Sequence, residues 1–378
     1  MTALSTQDPA SVLDIIRYNY GEDVQEGYNY LRTHFPVLQG NDSVWNVFRY
    51  DDVQRVLKTY QQFSSQFLNR PLGLVMSDPP EDHTKLRLQL APFFTKDALQ
   101  FLEERTAAHV DALLEAALSG GRETFDMIRQ LTAPLAQVVL AEFIGMPTKD
   151  GPLLQEWSER FLMSEFSGRA NRDDIVSYFQ QLIQARRNEP TPDLISRLLP
   201  VLSEQEIVMF ALQLVVAGCI PASDGVGNAI LCFNEHPDAW TTLRADTSLL
   251  PLAIEEILRI RSPLPFFRRQ AVQDVDVSGV TIPKGAVVRA WIGAANRDSE
   301  EFTHSELFDM QHNPNRHIAF GFGSHACLGA PFARLQMRVV LAALLDRFSS
   351  IRRADAAPLE RSAPLAYGVR QLLVSYKY

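Results

Sequence analysis

Cysteine is scarce: the 378 residues hold three, Cys219, Cys232 and Cys327. An odd number without regular spacing excludes a disulfide framework, and the expected compartment is a reducing cytosol. Positive charge is also in deficit. With 36 Lys and Arg against 45 Asp and Glu, the net charge is −9, so no nucleic acid and no anionic membrane is the expected partner. Residues 1–17 contain Asp8 and Asp14 and no continuous apolar run, which leaves no signal peptide or spanning helix there and predicts a soluble, cytoplasmic protein. Repeats and low-complexity linkers are absent too, and the Pro-containing stretch 188–193 is too short to separate domains. The expectation is one unit over residues 1–378, burying roughly three quarters of its unfolded surface and able to enclose a large ligand.

What is present is mainly helical. From about residue 95 to 258, apolar residues recur at helical spacing, as in Leu99, Leu102, Leu113 and Leu114 and again in Tyr178, Leu182 and Ile183. Ser203 followed by Glu206 predicts a capping box opening the apolar run 207–218, the expected central helix. Strand signals are confined to 43–48 and to 271–291, where Val275, Val277, Val280 and Ile282 alternate around Gly279, Pro283 and Gly285. The last segment, 370–378, is expected to add an edge strand. The fold class is therefore mainly α with a minor β portion.

The strongest local signal is Phe320-Gly321-Phe322-Gly323-Ser324-His325-Ala326-Cys327-Leu328-Gly329. Its glycines allow positive φ and close approach to a flat object. Cys327 precedes a good helix pattern with Pro331 in its first turn, a position whose free amides favour a thiolate. No Cys or His pair stands at zinc-ligand spacing to complete a four-ligand site with His325 and Cys327. A lone thiolate suits a metal whose remaining positions are filled by a macrocycle, as in haem with an axial cysteine; the bland alternative is a packed, inert thiol.

Residues 320–334 resemble the haem-binding signature of the cytochrome P450 family, Phe-Gly-x-Gly-x-His-x-Cys-x-Gly, with Phe320, Gly321, His325, Cys327 and Gly329 in fixed positions. The resemblance extends over nearly the whole chain and is closest to the soluble bacterial members. Asp78-Pro79-Pro80, with His83 and Arg87 four apart on one helix face, is similar to the segment that binds haem propionates; Arg269 and His325 are the further cationic contacts this implies. Glu256 and Arg259 match the family's Glu-x-x-Arg element, with His312 near its third member, and Ala295-Asn296-Arg297-Asp298 matches another family turn. The resemblance implies haem b held between a long central helix and the cysteine-loop helix, Cys327 as axial ligand, and electrons from ferredoxin and ferredoxin reductase.

One element departs from the family pattern. Ala217-Gly218-Cys219-Ile220-Pro221 places Ile220 and Pro221 where relatives carry an acid and a Thr that deliver protons. Pro221 should also kink the helix against the Ala217 carbonyl. Three replacements are open: ordered water or a substrate hydroxyl, Ser223 or Asp224 through an altered register, or hydrogen peroxide as oxidant. Leu72, Leu74, Val75 and Met76, in a short loop, are expected to line an apolar cavity with Ala217, Gly218, Ile220, Pro221, Leu264, Phe266 and Phe267. Arg70 is read as solvated.

The resulting expectation is a haem-thiolate monooxygenase acting on a small, largely apolar molecule, by hydroxylation or epoxidation in bacterial secondary metabolism. A peroxygenase and a non-catalytic haem sensor are the competing readings.

Overall fold

Helical spacing of apolar residues decides the larger part of the chain. The computed structural model describes residues 8–66, 78, 81–167, 172–363 and 365–378. Leu99, Leu102, Val110 and Leu114 lie buried along one helix, Lys96–Leu118, whose first turn is capped by the Thr95 hydroxyl accepting from the Ala98 N–H at 3.2 Å.

In chain order the helices are α1 (Pro9–Tyr18), α2 (Glu22–His34), α3 (Tyr50–Lys58), α4 (Glu81–Leu90), α5 (Lys96–Leu118), α6 (Ala133–Ile144), α7 (Gly151–Ser167) and α8 (Asp173–Asn188). There follow α9 (Leu194–Leu198), α10 (Glu204–Gly218), α11 (Ile220–Glu235), α12 (Pro237–Ala245), α13 (Leu250–Ile260), α14 (Ile292–Ala295) and α15 (Ala330–Arg347). The main apolar core joins α5, α6, α10, α11, α13 and α15. Among the described residues, Met127–Ile144 and Glu204–Glu235 are long and apolar enough to cross a membrane; 61% and 56% of their apolar 18-residue stretches are buried inside the fold, as in core helices.

The expected capping box is present, with Ser203 and Glu206 satisfying each other's backbone N–H. The kink expected from Pro221 falls at a one-residue break: α10 ends at Gly218, Cys219 stands between with near-helical backbone angles (φ −90°, ψ −58°), and α11 begins with Pro221 in its first turn.

The β portion is small. β1 (Val37–Gln39), β2 (Trp45–Val47), β8 (Val287–Ala290), β5 (Phe267–Ala271) and β3 (Phe63–Ser64) form a sheet in that order, with β2–β8 parallel and the other pairs antiparallel. β6 (Val275–Val277) and β7 (Val280–Ile282) make a hairpin whose turn residues, Ser278 and Gly279, both take positive φ, as a two-residue turn matching strand twist demands.

The C-terminal strand differs from expectation. β10 (Leu373–Lys377) is the middle of a three-stranded sheet, between β4 (Thr124–Asp126) and β9 (Ser350–Arg353), not an edge. Both neighbours are too short to signal themselves in the sequence.

Candidate active site

The cysteine loop is a backbone construction. The Cys327 N–H donates to the Phe320 carbonyl at 2.7 Å, and the Gly321 N–H to that of Ile318 at 2.8 Å. Gly321 (φ +74°) and Gly323 (φ +77°) take the left-handed conformation; a β-carbon on Gly323 would come 3.0 Å from the Lys58 backbone. Gly329 differs from the expectation of positive φ: at −82° it caps α15, and its role is proximity, since a β-carbon there would lie 3.8 Å from the Cys327 sulfur.

Cys327 is solvent-accessible, unlike Cys219 and Cys232, which are buried. Burial among surrounding atoms still pushes its thiol above the usual range, against the pull of the Gly329 and Ala330 amides, Arg87 and Arg334. The helix amides predicted from sequence are in place, but desolvation outweighs them. A cation at the sulfur would make the thiolate the stable form.

Four cationic groups predicted from sequence lie on or beside this loop. Arg87, on α4, donates to the Ala326 carbonyl at 2.7 Å. His83, one turn earlier and buried, has its ring centroid 4.7 Å from that of His325. His325 Nε2 is 3.0 Å from the Ser65 hydroxyl, and Asp78 accepts from the Ser65 N–H at 2.7 Å. Arg269, in β5, is buried and held by the Arg268 carbonyl at 2.8 Å; burial lowers it to about 10, with Asp78 working the other way. A buried guanidinium so situated calls for an anion.

Behind the loop, Glu256 and Arg259 are wholly buried and joined by two hydrogen bonds of 2.8 Å. Arg259 also donates to the carbonyls of Asn296, Ser305 and Leu307, while Glu256 accepts from the Asp309 N–H at 2.9 Å and Asn315 Nδ2 at 3.1 Å. His312, expected as third member, stands 3.9 Å from Glu256, too far for a hydrogen bond; Asn315, which the sequence reading passed over, takes that position.

The residues expected to line the cavity separate. Ile220 packs with Ala363 and Ala366 in a small apolar group apart from the main cores. Gly218 lies against α6, where a β-carbon would meet Leu140 at 2.6 Å, so its job is close helix packing. Ala217 is exposed, and Pro221 and Leu264 are partly exposed. Phe267 borders the cysteine loop, 3.5 Å from a β-carbon built on Gly321. Phe266, just before β5, has its ring 4.9 Å from that of Trp291 and under the Arg289 guanidinium. Leu72, Leu74, Val75 and Met76 lie outside the described residues, as does Arg70. Ser223 is engaged by the Thr132 hydroxyl at 2.7 Å and Asp224 by that of Ser362 at 2.8 Å.

An accessible thiol at a helix start, amides converging on it, and a buried arginine with two histidines and Arg87 nearby fit an iron porphyrin with two carboxylates. The comparisons with known proteins agree. Residues 160–365 match the family model "Cytochrome P450". The chain is 33% identical over 370 residues to a putative cytochrome P450, YjiB, of Bacillus subtilis, covering 92% of each chain. It is 31% identical over 369 residues to the erythromycin C-12 hydroxylase of Saccharopolyspora erythraea, covering 91% of this chain and 92% of that one. Its fold superposes with a TM-score of 0.85 on the crystal structure of CYP109E1 from Bacillus megaterium in complex with testosterone, at 32% identity over 93% of this chain and 99% of the other. The chain belongs to the cytochrome P450 family. It is a haem-dependent monooxygenase of the oxidoreductase class.

Proposed function

We propose that this chain is a cytoplasmic haem b monooxygenase, built as one unit over its 378 residues. In this reading it takes electrons from ferredoxin and ferredoxin reductase and inserts one atom of dioxygen into a small, largely apolar molecule by hydroxylation or epoxidation. The carrying observation is the accessible Cys327 sulfur at the start of α15 with Arg87 bonded one residue away. The relatives support the substrate class: one is named for hydroxylating erythromycin, and a structural neighbour was solved with testosterone.

Haem bound through thiolate sulfur supplies electron density that favours O–O cleavage. The chain does the rest. Cys327 would be the ligand, its backbone held by the Phe320 carbonyl and its sulfur met by the helix amides of Gly329 and Ala330. His83, Arg87, Arg269 and His325 would hold the two carboxylates, fixing the plane of the ring. The buried Glu256–Arg259 pair ties α13 to the carbonyls at 296, 305 and 307 and so braces the approach to the loop. Ile220, Leu264 and Phe267 would shield the substrate from water and orient the C–H or C=C bond to be oxidised. Ile220 and Pro221 hold no proton, so the family's usual relay is missing at those positions. That departure favours a second reading, in which hydrogen peroxide arrives already protonated.

The purified protein is expected to be red, to show the shifted carbon monoxide Soret band of thiolate ligation when reduced, and to lose that band in Cys327→Ala. Turnover with ferredoxin, reductase and a nicotinamide donor should exceed turnover with peroxide. The opposite ratio sinks the dioxygen reading, and colourless protein sinks both.

A further inference from the structure

Three residues one turn apart on α11, Ile220, Asp224 and Asn228, all meet a single stretch of chain, at Ser362, Ala363, Ala366, Tyr367 and Gly368. Ile220 packs with Ala363 and Ala366. Asp224, almost wholly buried, accepts from the Ser362 hydroxyl at 2.8 Å. Its carboxyl occupies the space a side chain on Gly368 would need, since a β-carbon there would come within 2.0 Å of Asp224 Cγ. Asn228 donates to the Tyr367 carbonyl at 2.7 Å.

The stretch is itself a narrow loop. The Ser362 N–H donates to the Gly368 carbonyl at 3.0 Å, and Arg361 bridges Val369. The Tyr367 N–H donates to the Pro263 carbonyl at 2.7 Å, joining the loop to the Pro263-Leu264-Pro265 turn. The loop thus spans the gap between Ile220 and that turn, two of the walls assigned to the substrate cavity.

We propose that Asp224 and Ser362 form a latch that seats this loop as a third wall of the substrate cavity, making Asp224 a positioning residue for substrate selection. The proposal rests on the haem-monooxygenase reading, which places Ile220 at that cavity. No family acid is needed for it: Asp224 acts here through Ser362 on the shape of the site.

The chemistry of the seat makes the latch sensitive to protons. Burial pushes the Asp224 carboxyl up to about 8, with the Ser362 hydroxyl pulling the other way. Neighbouring ionisable groups are turned elsewhere. Arg361 donates to the carbonyls of Ile16 and Asn19, Arg261 to Tyr20 and Glu235, and Tyr20 to Asn228. Arg129 lies beside Asp126, Arg259 on Glu256, Glu142 by His109, Arg338 on Glu103 and Arg353 by Asp355. Near neutral pH the seated acid is uncharged. A raised value in the closed form means that closure is favoured most at low pH and loses ground as pH rises from about 4 to about 8, with no further change above.

The test uses the haem-loaded protein and 4-phenylimidazole, an azole that binds haem iron and projects a ring into the cavity, with imidazole as the small control. At pH 7.5, Asp224→Leu and Ser362→Ala should each weaken 4-phenylimidazole binding by about fivefold, the worth of one hydrogen bond, while imidazole changes less. Asp224→Asn, which keeps an uncharged acceptor for Ser362, should bind like the parent. Hydrogen exchange of the amides of Ser362, Ala363, Ala366, Tyr367 and Gly368, corrected for intrinsic rates, should quicken with pH up to about 8 in the parent and stay flat in Asp224→Asn. Unchanged azole binding in both disruptive variants, an Asp224→Asn protein that behaves like Asp224→Leu, or flat exchange in the parent each overturns the latch. Failure of the haem reading is distinguishable: the parent itself would then lack the carbon monoxide band, while the exchange measurement would still judge the latch.

Discussion

A carboxylate and a guanidinium removed from water are stable only when every lone pair and N–H is answered, and Glu256 and Arg259 meet that condition. Removing one partner strands the other. Arg259→Met is therefore expected to lower unfolding free energy by about 3–5 kcal/mol, read as a shift in the urea midpoint. Glu256→Gln with Arg259→Met should recover part of that loss; a single variant as stable as the parent would mean the pair contributes nothing. The identities of both residues, and of His83, Arg87, Arg269, His325 and Cys327, were legible because each belongs to a short motif with fixed spacing. Asn315 was not, since its contact with Glu256 closes 59 residues away.

At the scale of elements, the α10–α11 region shows where sequence reasoning succeeds and where it stops. Pro221 announces a break, because proline can neither donate to Ala217 nor avoid its carbonyl. Nothing local announces which face of α11 meets residues 361–369, so Ser362, Ala363 and Ala366 went unread. The same holds for β10: its apolar residues mark a strand, but central or edge placement depends on β4, about 250 positions earlier, pairing Val374 with Phe125. Gly218 gives an element-scale test. A methyl there meets Leu140 Cδ2 at 2.6 Å, so Gly218→Ala should destabilise by about 1–3 kcal/mol through overpacking of α10 against α6. Adding Leu140→Ala should make the two effects less than additive in a double-mutant cycle. Strict additivity would show that the helices do not meet through these side chains.

Across the whole molecule, the ties between distant segments differ greatly in worth. Arg338 and Glu103 join α15 to α5 by two bonds of 2.8 and 2.7 Å, but both side chains are more than a third exposed, so the pair adds little. Glu255 is better placed. It holds Arg334 through two bonds of 2.6 Å and His317 at 2.9 Å, linking α13, α15 and the approach to the cysteine loop. Burial pushes its carboxyl up, yet these partners outweigh burial and hold it down to about 2. A lowered value in the folded state contributes stability that is fully present above the unfolded value near 4.5 and is lost as pH falls toward about 2. The contribution at neutral pH is at most about 3 kcal/mol. Glu255→Gln should then be less stable than the parent at pH 7 by up to that amount, with the gap in urea midpoint narrowing as pH drops below about 4.5. Carboxylates elsewhere titrate alike in both proteins and cancel in the difference. A gap that stays constant from pH 7 into the acid range would assign the tie to shape and hydrogen bonding alone, and would remove charge from the account of how α13 and α15 are held beside Cys327.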